Sequence, residues 1–150
     1  MRRLAVFCLA ISAALAVVAL ALPAGATGGR PLSAGMTGAQ EVPGPGDPDG
    51  SGMASFTVNP GTGEICFTVT SENLTTPVVA AHIHPGAAGV AGAPLVFLLP
   101  AGVTDADGNF SGCSTTDRAT AKDILMRPWA YYVNLHTTDF PAGAIRGQLG

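Results

Sequence analysis

Positive charge is scarce in this chain. Seven lysines and arginines stand against ten acidic residues in 150, and two of the seven, Arg2 and Arg3, sit at the very start. They precede an apolar run from Leu4 to Leu22 and the small-residue stretch Pro23-Ala24-Gly25-Ala26. A basic start, an apolar centre and a small-x-small end make a secretory signal peptide, with cleavage expected after Ala26. Removing residues 1–26 leaves 124 residues with five basic and ten acidic side chains, a formal net charge of −5. Without clustered lysine and arginine, nucleic acid and anionic membrane surfaces are excluded as partners. No stable membrane span is expected once the apolar run is gone. The length excludes a second domain but suits one domain with a real core.

Cysteine is nearly as scarce. Of three, Cys8 lies inside the apolar run, and Thr27 rather than cysteine follows the cleavage point, which argues against lipidation. Cys66 and Cys113 remain, and an even pair in an exported chain reads as a disulfide. A nucleophile elbow, a phosphate-binding loop and a paired-carboxylate arrangement are all missing. A non-catalytic protein is therefore expected.

Turn formers are what the chain has in abundance, with 20 glycines and 12 prolines. Residues 27–31 read as a flexible leader, and residues 32–150 as one domain of short strands. The strands are "LSAGMT", "MASFTVN", "EICFTVTS", "VVAAHIH", the continuous apolar "LVFLLP", a segment around Phe110 and Cys113, "WAYYVNLHT" and "AGAIRGQL". In "EICFTVTS", Ile65, Phe67 and Val69 alternate with Cys66, Thr68 and Thr70, which puts the cysteine on the outer face. One helix is predicted near residues 117–127, capped by Asp117 and ended by Pro128. The fold class expected is all-β, an antiparallel β-sandwich or Greek-key barrel with one short helix.

"GMTGAQEVP", "AHIHPGAAGVAGAPLVFLL" and "AYYVNLHTTDFPAGAIRGQL" occur in the order and at about the spacing of the CHRD domain. The chain thus resembles that family, named for the extracellular growth-factor antagonist chordin, from about Leu32 to Gly150. The resemblance implies an exported β-sandwich module, an extracellular binding or interaction unit of unassigned ligand. Chordin's antagonism also involves cysteine-rich modules that this chain lacks, so that activity is not carried over. The residues that match the family's motifs are Glu41, His82, His84, Gly86, Gly89, Asn134, His136 and Arg146. Ala144 stands where the family often has an acidic residue.

Strand alternation turns His82 and His84 to one side, and Tyr132, Asn134 and His136 share a face of another strand. If the two strands are neighbours, three imidazoles converge, a set that suits copper or zinc. The alternative is that these histidines hydrogen-bond at the sheet rim and fix the loop that follows. A weak similarity to copper-zinc superoxide dismutase lies in the His-x-His pair, but that enzyme's fourth, bridging histidine and its zinc loop are missing. Arg146 is expected to pair with Glu41 or Asp139 through its planar fork. Trp129, Tyr131 and Tyr132 are expected to pack the helix onto the sheet.

Overall fold

Alternating apolar residues make strands with one face in the core. A computed structural model describes residues 28–150 apart from 76, 100–102 and 104; the expected signal peptide and its cleavage point lie outside the described residues. The strands are Arg30–Thr37 (β1), Ser51–Asn59 (β2), Glu64–Glu72 (β3), Val78–Pro85 (β4), Val96–Phe97 (β5), Phe110–Thr115 (β6), Tyr131–Thr137 (β7) and Ile145–Gln148 (β8). In β2 and β3, Ala54, Phe56, Val58, Ile65, Phe67 and Val69 are buried. The turn between these strands is set by Asn59, whose Oδ1 accepts from Gly61 N at 2.9 Å. Gly63, at φ +81°, then supplies the left-handed residue that closes it.

All eight strands belong to one antiparallel sheet, in the order β5-β4-β7-β8-β1-β2-β3-β6. The sheet curls until its edges approach, and Ser114 Oγ on β6 donates to Phe97 O on β5 at 2.5 Å. The result is a nearly closed barrel, as the fold class predicts. Cys66 and Cys113 are direct cross-strand neighbours on β3 and β6 and are bonded. Their bridge is on the outer face, opposite Ile65 and Phe67.

Arg118–Met126 forms the α-helix (α1), with Asp117 as its N-cap accepting from Thr120 N at 2.9 Å. It buries Ala121 and Ile124 in the core. Among the described residues, no helix is long and apolar enough to cross a membrane.

Three expectations need correction. β1 starts inside the segment expected to be a leader, because Arg30 and Pro31 already pair with Val58 and Thr57 of β2. The apolar run "LVFLLP" supplies only a two-residue strand. Val96, Leu98 and Leu99 turn inward while Leu95 and Phe97 face solvent, so hydrophobicity alone overstated the strand. Trp129 stays 63% exposed and does not pack the helix. That task falls to Tyr131, whose hydroxyl donates to the Asp123 carboxylate on α1.

Candidate functional site

β4, β7 and β8 lie side by side, and their registers build cross-strand rows. His84, Tyr132 and Gln148 form one row, and His82, Asn134 and Arg146 form the next. His136 follows on β7, opposite Ala80. Ile83, Val133, Leu135 and Ile145 point the other way, into the barrel core. A polar outer face would ordinarily meet water. Here it is covered: Arg146 is 1% exposed, Asn134 3%, His84 4% and His82 9%.

The cover is the glycine-rich loop between β4 and β5. Arg146 Nη2 donates to Ala87 O and Val90 O, both at 2.9 Å. Gln148 Nε2 donates to Gly86 O at 2.7 Å, and Gly92 N donates to Tyr132 Oη at 3.1 Å. Gly92 is required because a Cβ there would lie 1.8 Å from Pro85 O. The Arg146 guanidinium sits 3.4 Å from the centroid of the Tyr132 ring, a cation–π contact strengthened by burial. The His84 ring stacks on Tyr132 with a 5° interplanar angle.

The expected pairing of Arg146 with Glu41 or Asp139 does not form; its fork reaches the two converging loop carbonyls instead. Glu41 is nonetheless close, buried to 5% exposure. Burial pushes its carboxyl up to about 7, against the opposing pull of the Arg146 charge and hydrogen bonds from Val42 and Asn134. Gly143, at φ +146°, leaves room for this carboxylate, since a Cβ there would lie 2.4 Å from Oε2.

One nitrogen from each of His82, His84 and His136 lies within 4.8 Å of the other two. His82 Nδ1 is 3.3 Å from His136 Nε2. His84 Nδ1 contacts Gly92 O at 2.9 Å, and His136 Nδ1 contacts Pro141 O at 3.1 Å. A carbonyl can only accept, so both Nδ1 atoms carry protons. Burial keeps all three rings below their ordinary pKa, His82 at about 4, where the neighbouring histidines add to the effect. With Nδ1 protonated, the neutral His136 ring turns its Nε2 lone pair to His82 Nδ1, and His84 Nε2 is left without a hydrogen bond.

The structure thus places His82, His84, His136, Asn134, Arg146 and Glu41 in one neighbourhood. Sequence reasoning missed Gln148, which shares the Arg146 face two residues on, a spacing that could have revealed it. It also missed Phe97, whose ring meets His82 edge-on at 4.8 Å between centroids, and the ring-stacking role of Tyr132. Asp47 was missed as well; it is buried, and its Oδ2 accepts from Thr75 N at 3.0 Å.

Comparison with family models finds the CHRD domain over residues 32–149. Neither the curated proteins nor the solved structures contain a match.

Proposed function

Because the chain belongs to the CHRD domain family, we propose that it is a secreted, non-catalytic binding module that takes its ligand at the covered face of β4, β7 and β8. One observation carries this reading. The buried side-chain atoms without a hydrogen-bond partner among the described residues are Glu41 Oε1, His84 Nε2, Asn134 Oδ1 and Arg146 Nη1. All four belong to this one neighbourhood. Each such atom costs about 1–3 kcal/mol, and a domain shaped for stability alone would satisfy or replace them. Clustering them under a loop held by its own hydrogen bonds is how a preorganised recognition site is built.

The disulfide and the family together support an extracellular setting. The rigid barrel supports binding, because strands hold side chains more firmly than loops do. The test is native mass spectrometry of untagged protein recovered from the medium of a secreting host. A mass above that of the disulfide-bonded polypeptide is expected, and it should be lost in Asn134→Leu. A bare polypeptide mass for the unaltered protein removes this reading.

A further inference from the structure

We propose that His82, His84 and His136 bind a zinc or copper ion, a step that rests on the binding-module reading and names its ligand class. The distances come first. Two nitrogens on a tetrahedral ion, each about 2.0–2.1 Å from it, stand roughly 3.3–3.4 Å apart. His82 Nδ1 and His136 Nε2 already stand 3.3 Å apart. The 4.8 Å outer limit of the trio leaves at most about 1.5 Å to close on metal binding.

The outer hydrogen bonds point the same way. A metal-binding histidine usually donates its other ring N–H to a carbonyl or carboxylate, which fixes tautomer and ring direction. His84 and His136 both do so, to Gly92 O and Pro141 O. His84 Nε2, the nitrogen freed by this arrangement, is buried without a hydrogen bond of good geometry, although the Asn134 side chain lies close enough to act on the ring. The His82 Nδ1 proton directed at His136 is the one that metal binding displaces. His82 takes a proton back at its own Nε2, so the ring stays neutral and the three sites release no net proton. Three imidazoles without a carboxylate favour zinc or copper over magnesium or calcium.

The experiment uses untagged, disulfide-bonded residues 27–150, stripped with a chelator and desalted. Zinc(II) and copper(II) are titrated separately against a chromogenic competitor, with magnesium(II) as the control. About one ion per chain is expected, and His84→Ala and His136→Gln should each weaken binding at least about tenfold. His136 is the less buried ligand, so its variant serves if His84→Ala fails to fold. Loss in the variants for either ion supports the site and identifies the ion. Absent binding, or equal binding by all three proteins, overturns it. If no ion binds while the native mass adduct persists and Asn134→Leu still removes it, the metal site falls and the binding-module reading stands.

Discussion

Glu41 is buried near Arg146 without an ion pair, and its carboxyl titrates at about 7 rather than the ordinary 4.5. Between those values the folded protein holds a proton that the unfolded chain has released. The group's contribution is therefore fully present below pH 4.5 and is lost as pH rises through about 7. Glu41→Gln removes that loss. The variant should exceed the parent protein by about 1–3 kcal/mol at pH 8, and the two should converge at pH 4.5, as urea unfolding at both values will show. A parent protein more stable than the variant at pH 8 would mean that Arg146 holds the carboxylate charged. His82 has the opposite slope. Its ring is held at about 4 against an ordinary 6.5, so the unfolded chain takes up a proton first and stability falls on acidification across that window. His82→Asn should flatten the parent's decline between pH 6.5 and 4 in the same measurements.

At the scale of elements, the loop after β4 and the bridge between β3 and β6 each have a distinct test. Gly92 supplies the carbonyl that orients His84 and the N–H that meets Tyr132. Gly92→Ala drives a methyl into Pro85 O and should weaken zinc or copper binding about tenfold or more while leaving all three histidines in place. Unchanged affinity would show that the loop does not position His84. Cys66 and Cys113, separated by 47 positions, close a loop whose chain-entropy effect is about 4 kcal/mol. Cys66→Ser with Cys113→Ser should lower the unfolding free energy by about that amount in denaturant, with native-state adjustment reducing it. The same elements show what was legible from local pattern. The cysteine face followed from alternation with Ile65 and Phe67, and α1 followed from Asp117 and Pro128. "LVFLLP" misled because a continuous apolar run carries no period: it does not distinguish a long buried strand from a short edge strand followed by a turn.

At the scale of the whole molecule, the export reading predicts one mass. Under denaturing conditions, which strip any bound ligand, protein from the culture medium should have the mass of residues 27–150 with a single disulfide, and both thiols should resist alkylation until reduced. An intact Met1 start on the exported protein would contradict the cleavage reading. Sequence alone determined most of the strands and their inward and outward faces, the helix and its cap, and the pairing of the two remaining cysteines, because each depends on neighbours a few positions away or on a count. It also determined that His82 and His84 share a face, and likewise Tyr132, Asn134 and His136. Tertiary structure decided that β4 lies against β7 and β7 against β8, so that these faces join. It decided, too, that a loop covers them and that Arg146 binds loop carbonyls rather than Glu41 or Asp139. The reason is physical: alternation encodes which face a side chain takes but not which strand lies beside it. Backbone carbonyls, the partners that orient Arg146, His84 and His136, are present at every residue and so leave no mark in the sequence.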